Sequence, residues 1–452
     1  MTTAATLSAR LQALLGPACI ATEETQTAAY AIASRRPAVV VRPETREQAV
    51  EVLALAGRER LAVVPWGQGT QMHLGALPQR YDLALCLGGL QRIVEYDAAN
   101  LTVIAEAGLP LREVYRVSLP ERQFLPLGFP GTEASLGGLL VTNSSGVKRS
   151  RYGSLRDLLL GVRVALPDGS LTRCGGRVVK NVAGYDMNKL FIGSLGAFGV
   201  VLETTYRLAA LPEDDRLLAL VFPTLAQATA VAAAVQASAL LPSALILLHA
   251  GAAEATPLPL QVGPEQVVLL LNFDGPHEDV ARQIRDSRAL GQPHGSLAEA
   301  VVTGEELLAL WASQERWQAA PAAAAPARLQ LRLGVLPSHL GDAIGALTTR
   351  SVGVPPQVSW RADYMQGQVF VHIQLGQAGA EDIGPIVSDW LARLRAQLCQ
   401  WHGYCVVAYA PAMLRQQLDV WGTSPGGPLL RLYKQRFDPH GVLNPGRYVA
   451  EL

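Results

Sequence analysis

The chain has 452 residues, 49% of them apolar and 17% charged, with 38 basic side chains balanced by 38 acidic ones. That length supports two or three domains with ordinary cores. The zero balance, with no block of like charge, removes the electrostatic basis for nucleic-acid binding. Five scattered cysteines without a CxxC pair argue against a zinc ribbon or an iron–sulfur cluster held by this chain alone. They point instead to free buried thiols in a reducing cytoplasm. No apolar run approaches a membrane span; VVLLLNF at 267–273 is strand-sized. The N-terminus lacks the basic start and long apolar core of a secretory signal. Membrane association, if any, is expected to be peripheral and through a partner.

Residues 1–34 read as an N-terminal helical segment, with Leu7, Leu11, Leu14 and Leu15 at helical spacing. From Ala38 short strands and helices alternate. AVVVRP is a strand, and Thr45 with Gln48 forms a capping box for the helix carrying Val50, Leu53 and Leu55. RLAVVP, LALCL, RIVEYD and LTVIAEAG follow as strands, then GVRVALPDGSLTRCGG as a hairpin with a Pro-Asp-Gly turn. GVVLETTYRL closes a first domain over 35–210.

After Pro212 the texture changes. LLALVF, a helix in TLAQATAVAAAVQASAL, ALILLH, VVLLLNF and a helix in EDVARQIRDSRAL make one set. Beyond the low-complexity run AAPAAAAPA at 319–327, expected as a surface connection, the same order returns. It runs RLQLRLGVL, a helix near 338–348, QVSWRA, QVFVHIQL, a helix through 381–400 and YCVVAYA. Two βαββαβ-like halves predict an α+β domain over 211–424 with one antiparallel sheet covered on one face by helices. Residues 425–452 are expected as a helix and turn returning to the first domain.

Three glycine-rich segments carry the chemistry. Pro65-Trp66-Gly67-Gln68-Gly69-Thr70-Gln71 can aim successive backbone N–H groups at a diphosphate. It lacks the third glycine and the following helix of an ordinary NAD-binding turn, which disfavours a Rossmann reading. The second segment, 126–146, is rich in small and hydroxyl-bearing residues and continues to Arg151-Tyr152-Gly153. The third, 175–201, sets six glycines in an otherwise apolar run, tightest at Gly193-Ser194-Leu195-Gly196. So many glycines beside strand-like valines suggest main chain packed against a ligand.

The order PWGQGT, SLGGLLVTNSSG, YG, LPDGS and GSLGAFGVV resembles the FAD-binding domain of the PCMH-type (vanillyl-alcohol oxidase) flavoprotein family. The ending FDPHGVLNPGR resembles the D-lactate and glycolate dehydrogenase branch, and CGGRVVKNVAGYDMNKLFIGS is similar to the FAD-binding E subunit of glycolate oxidase. The resemblance covers about residues 35–210 and 425–452. It implies a two-lobed FAD-binding domain beside a ferredoxin-like cap. It also implies FAD contacts from Pro65, Gly67, Gln68, Gly69, Thr70 and Gln71 at the pyrophosphate. Gly137, Gly138, Asn143 and Gly146, with Tyr152 and Gly153, would line the pyrophosphate and flavin region. Gly193, Ser194, Gly196 and Gly199 would pack the adenine and ribose side, and Asn444 would lie near the flavin ring. Lys180 and Lys189 beside the third loop could balance the phosphates, and Arg447 could do so as well or simply be a surface residue.

Catalytic members of that branch carry a metal motif of the form H-x-G-D-G-N-x-H, whereas this chain reads QVFVHIQLGQAG with His372 alone. A single strand histidine more often packs than ligates, so no metal site is expected, and independent hydroxy-acid oxidation is in doubt. The covalent-flavin motif G-G-H-S is also absent, which favours noncovalent FAD. Oxidising a 2-hydroxy acid needs a cation for the carboxylate, a base and a hydride acceptor. Arg361, Tyr364 and His372 are the catalytic candidates; the competing reading puts them on the sheet's solvent face. The expectation is an FAD-binding subunit of a glycolate or D-2-hydroxy acid dehydrogenase complex, with a paralogous flavoprotein subunit and an iron–sulfur subunit as partners. A self-sufficient FAD-linked dehydrogenase and a non-catalytic scaffold are the alternatives.

Overall fold

A computed structural model describes residues 4–128, 132–176, 185–319, 328–348, 358–375 and 380–452. The chain forms two compact units, one of residues 1–145, 154–210 and 423–452, the other of 146–153 and 211–422.

In the first unit, α1 (Ala4–Leu15) buries Leu7 and Leu11 and leaves Leu14 exposed. The expected longer helix is cut short at Gly16, whose φ of 88° and following Pro17 leave the helical region. Strands β1 (Val39–Val41), β2 (Val63–Trp66) and β3 (Leu83–Cys86) are parallel, with β3 central. Helix α2 (Arg46–Glu59) carries both arms of the capping box: Thr45 Oγ1 accepts from the Gln48 N–H at 3.2 Å, and Gln48 Oε1 from the Thr45 N–H at 3.3 Å. Its apolar side, Val52, Leu53 and Leu55, joins Val39, Val63, Leu83 and Leu443 in one buried apolar core.

A second sheet holds β4 (Ile93–Asp97), β5 (Thr102–Glu106), β6 (Leu159–Ala165), β7 (Leu171–Gly175) and β8 (Val200–Arg207), in the order β4-β5-β8-β6-β7. All its pairings are antiparallel, and β6–β7 is the hairpin expected at Pro-Asp-Gly. The buried carboxylates of Glu106 and Glu203 are met by Arg46, Arg92 and Arg163, so α2 is tied to this sheet by charge as well as packing.

The second unit is built on one eight-stranded antiparallel sheet. Its strands are β9 (Asp214–Phe222), β10 (Ala244–His249), β11 (Val267–Gly275), β12 (Ala298–Thr303), β13 (Arg328–Gly334), β14 (Val358–Asp363), β15 (Gln368–Gln374) and β16 (Tyr404–Tyr409). Their order, β12-β9-β11-β10-β14-β15-β13-β16, is two ferredoxin-like halves joined edge to edge through β10 and β14. Helices α3 (Leu225–Gln236) and α4 (His277–Gly291) serve the first half; α5 (Leu340–Thr348) and α6 (Ala380–Gln400) serve the second.

Two elements depart from the sequence reading. Strand β12 and the helix Gly304–Gln318 had no expectation, because AEAVVT is an edge strand carrying an exposed glutamate and lacks a continuous apolar signal. Residues 146–153, grouped by sequence with the first domain, belong to the second unit. The reason is charge: Lys148 donates to Asp215 at 2.5 Å and to the fully buried Asp274 carboxylate at 2.9 Å, and Arg151 lies 3.0 Å from Asp274.

Candidate functional site

Four segments of the first unit converge. Strand β2 delivers the first loop at Gly67, and a Cβ at that position would collide with the Ser135 hydroxyl of the second loop. Gly69 takes φ +77°, and its missing Cβ leaves room for the Trp66 ring, 3.2 Å away. The main-chain N–H groups of Gln68, Gly69, Thr70 and Gln71 donate to no acceptor among the described residues. Four successive unengaged donors in a glycine loop form an anion nest.

The second loop enters through Ser135, a buried residue that sequence reasoning missed. Its hydroxyl accepts from the Gly138 N–H at 3.3 Å and caps the short helix Leu136–Thr142. Gly137 sits against Ala107, with its N–H bonded to the Ala107 carbonyl at 2.8 Å. Asn143 ends the helix in the left-handed region, at φ 52°.

The third loop is stitched to that helix end. The N–H groups of Gly193 and Leu195 bond to the carbonyls of Leu140 and Val141 at 3.0 and 2.9 Å. The Ser194 hydroxyl, fully buried, donates to Phe191 and accepts from the Gly196 N–H. Gly196, at φ +77°, lies where a Cβ would stand 3.3 Å from Pro65 and 3.6 Å from the Asn444 amide. Gly199 serves a different purpose: a Cβ there would drive into Val164, so this glycine permits β8 and β6 to pack.

The C-terminal segment closes the convergence. Leu443 bridges to Val63 on the free edge of β2, and Asn444 is buried at φ 48° with its amide donating to the Leu195 carbonyl. Arg447, expected at the phosphates or on the surface, is buried and donates to the carbonyls of Met72 and Leu74 at 2.9 and 2.7 Å, fastening the first loop. Helix α7 (Gly427–Phe437) supplies a second missed residue, Lys434, whose ammonium reaches the carbonyls of Ala197 and Leu443 and the Asp438 carboxylate. Lys189 is engaged by Asp186 at 3.0 Å, and Lys180 lies outside the described residues.

Gly146, Tyr152 and Gly153 fall in the second unit. Burial and the neighbouring Asp274 carboxylate push the Tyr152 hydroxyl pKa up, so it stays protonated.

The three catalytic candidates are all buried rather than on a solvent face. Arg361 on β14 and His372 on β15 share one face of the sheet, while Tyr364 lies on the 3-10 turn Tyr364–Gln366 between the strands. His372 stacks on Trp317 with ring centroids 3.7 Å apart. The Gln330 amide nitrogen lies 3.0 Å from the Ala319 carbonyl and 3.2 Å from His372 Nε2. With that amide donating to both, Nε2 is an acceptor and the ring is neutral. Burial, helped by Arg328, holds its pKa down to about 3, too low for an effective base near neutral pH. Among the described residues no three His, Cys, Asp or Glu side chains group to hold a metal. Of the cysteines, Cys19, Cys86, Cys174 and Cys405 are free and buried, whereas Cys399 is exposed. No described helix is long and apolar enough to cross a membrane.

Residues 37–175 match the FAD binding domain family, and residues 211–373 match the C-terminal domain of FAD linked oxidases. The chain is 24% identical to glycolate oxidase subunit GlcD of Bacillus subtilis, over 92% of this chain and 89% of that one. It is 26% identical to a D-2-hydroxyglutarate dehydrogenase of Xanthomonas citri, over 91% and 89%. A D-lactate dehydrogenase of Archaeoglobus fulgidus is 32% identical over 48% of each chain. The fold is that of substrate-bound p-cresol methylhydroxylase (TM-score 0.75, 15% identity, covering 97% of this chain and 95% of that one). Alkyldihydroxyacetonephosphate synthase shares it as well (TM-score 0.71, 15% identity, 98% and 86%).

Proposed function

Because the chain belongs to the PCMH-type family of FAD-linked oxidoreductases, we propose that it is the FAD-binding subunit of a glycolate or related D-2-hydroxy acid dehydrogenase complex. The observation that carries the reading is the row of unengaged N–H groups from Gln68 to Gln71, fastened beside the second and third glycine loops. Those donors fit a pyrophosphate: they are main-chain, consecutive and uncrowded by side-chain carbons at Gly69. Around them Gly137, Gly138, Asn143, Gly193, Ser194, Gly196 and Asn444 would line the rest of the cofactor. Arg447 holds the loop by its carbonyls and leaves the N–H side free for the anion.

FAD supplies a hydride acceptor that can release electrons one at a time. The substrate class is taken from the glycolate, D-lactate and D-2-hydroxyglutarate enzymes among the relatives. The neutral, Gln330-bound His372 disfavours this chain as the source of the base, which supports electron transfer within a complex over self-sufficient oxidation. Cysteines at 19, 86, 174, 399 and 405 have no cluster-binding spacing, so the reading assigns the one-electron acceptor to an iron–sulfur partner, with a paralogous flavoprotein beside it. A cytoplasmic location goes with the same reading.

The test is an anaerobic visible spectrum of the isolated chain before and after glycolate. The proposal expects an oxidised flavin spectrum that stays oxidised alone and bleaches when the partner subunits are added. Bleaching of the isolated chain would replace it with the self-sufficient enzyme, and a colourless protein would leave the scaffold.

A further inference from the structure

We propose that the outer face of α7 docks the electron-accepting partner, through an apolar groove rimmed by carboxylates on a protein that carries a one-electron centre. Sequence spacing builds that face. Leu429, Leu432, Tyr433 and Phe437 stand at i, i+3, i+4 and i+8, on one side of the helix. Leu429 is 58% exposed and Leu432 63%, and the exposed Phe437 stacks on the half-buried Tyr433 with ring centroids 5.9 Å apart. Among the described residues no other helix exposes more than one large apolar side chain. Apolar side chains gathered in this way at a surface mark an interaction site, whereas single ones do not.

The charges say what covers it. Arg431 and Arg436 are exposed and pair with no acidic side chain among the described residues. The helix itself contains no acidic residue, and the Asp438 that follows it is buried against Lys434. Arg436 follows Leu429 by seven residues and Leu432 by four, so it emerges in the middle of the apolar stripe. Insertion into lipid would bury that charge among acyl chains, where no acceptor meets it. A second copy of the chain laid on the same stripe would set arginines against arginines. A protein with carboxylates around an apolar groove pairs both guanidinium forks and covers the leucines. Aromatic residues with arginine are also the composition of a binding hot spot.

The inner side of α7 says which protein. There Lys434 bonds to the carbonyls of Ala197 and Leu443, and Leu443 precedes Asn444, whose amide bonds to Leu195 of the third glycine turn. A partner resting on the outer face is therefore about 10 Å, one helix diameter, from the turn and segment that line the proposed cofactor site. Electron transfer weakens steeply with distance, so this position suits a one-electron acceptor above other partners. The two electrons of the reduced flavin reduce the partner's centre in two single steps, and the flavin's protons go to solvent. The inference deepens the proposed function and rests on it for the partner's identity.

Sedimentation velocity of the flavin-loaded, full-length chain with the iron–sulfur and paralogous flavoprotein subunits tests the surface. Leu432→Asp and Arg436→Glu, both at exposed positions, are expected to keep the parental flavin content and to weaken assembly roughly 10- to 100-fold. Added salt is expected to weaken assembly of the parent. Assembly of both variants at parental affinity overturns the docking face, and salt-independent assembly overturns its acidic complement. Self-association of the parent, or its co-sedimentation with vesicles of phosphatidylglycerol and phosphatidylcholine, lost in Leu432→Asp while assembly is unchanged, reassigns the face to a second copy or to lipid and overturns the proposal. A parent that assembles with neither subunit removes the complex and the surface together, a failure told apart from the others because it needs no variant to be seen.

Discussion

The ammonium of Lys434 donates a 2.7 Å hydrogen bond to the carbonyl of Ala197, joining the C-terminal helix to the third glycine turn across 237 residues of sequence. The same ammonium bonds to Leu443 at 2.7 Å and to Asp438 at 2.8 Å, while the Asp438 carboxylate accepts from the N–H groups of Val442 and Leu443. One buried ion pair thus sets the path of the chain that presents Asn444 and the turn that contacts it.

Lys434→Met keeps the aliphatic stem and removes the charge. It leaves the Asp438 carboxylate, 3% exposed, without its cation. Losing one partner of a buried pair costs about 3–5 kcal/mol. The expected result is a urea midpoint lowered accordingly, with faster loss of flavin on gel filtration. A variant that retains flavin as tightly as the parent would detach this clamp from the cofactor site.

Gly69→Val tests the nest directly. At φ +77° a β-branched residue is strained, by roughly 1–2 kcal/mol, and its side chain would press on the Trp66 ring. The protein is expected to remain folded and soluble while the flavin-to-protein absorbance ratio falls close to zero. Unchanged flavin content would remove the loop from the pyrophosphate.

Much of this was legible in the sequence, for identifiable reasons. The Thr45–Gln48 capping box and the Pro-Asp-Gly hairpin rest on local chemistry, and the structure has both. The doubled βαββαβ order came from strand-sized apolar runs such as VVLLLNF, which need no tertiary information. Lys434 and the role of Ser135 were illegible, because a lysine in an exposed-looking helix and the serine that opens SLGG gain meaning only when distant segments meet them. The placement of 146–153 was hidden likewise: Lys148 and Arg151 follow a glycine loop in sequence, but their partners Asp215 and Asp274 lie more than sixty residues on. His372 shows a third kind of limit. The lone histidine was readable as packing, yet its stacking partner Trp317 sits on a helix with no counterpart in the sequence reading.

Lys148→Met probes the ion cluster of the second unit. Asp274 is 1% exposed and, among the described residues, would keep Arg151 as its paired cation. A loss of about 3 kcal/mol in unfolding free energy is expected, with earlier proteolytic cleavage between residues 146 and 153. Parental stability with an unchanged cleavage pattern would mean that Arg151 alone anchors the segment.

His372 makes a prediction about acid stability. Its folded pKa of about 3 lies below the ordinary 6.5, so below pH 6.5 the unfolded chain takes up a proton that the folded chain refuses. Its contribution to stability is therefore full above pH 6.5 and falls as pH drops towards 3. Asp363 acts in the opposite sense: burial raises its pKa to about 6, so the folded chain takes up that proton before the unfolded one does. Comparing parent with His372→Leu cancels the Asp363 contribution and isolates the histidine. Urea unfolding at about pH 7 and about pH 4 is expected to show the parent losing up to about 3 kcal/mol more than the variant. Parallel losses in the two proteins would mean that His372 titrates near its ordinary value, and that the Gln330 amide faces it with its oxygen rather than its nitrogen.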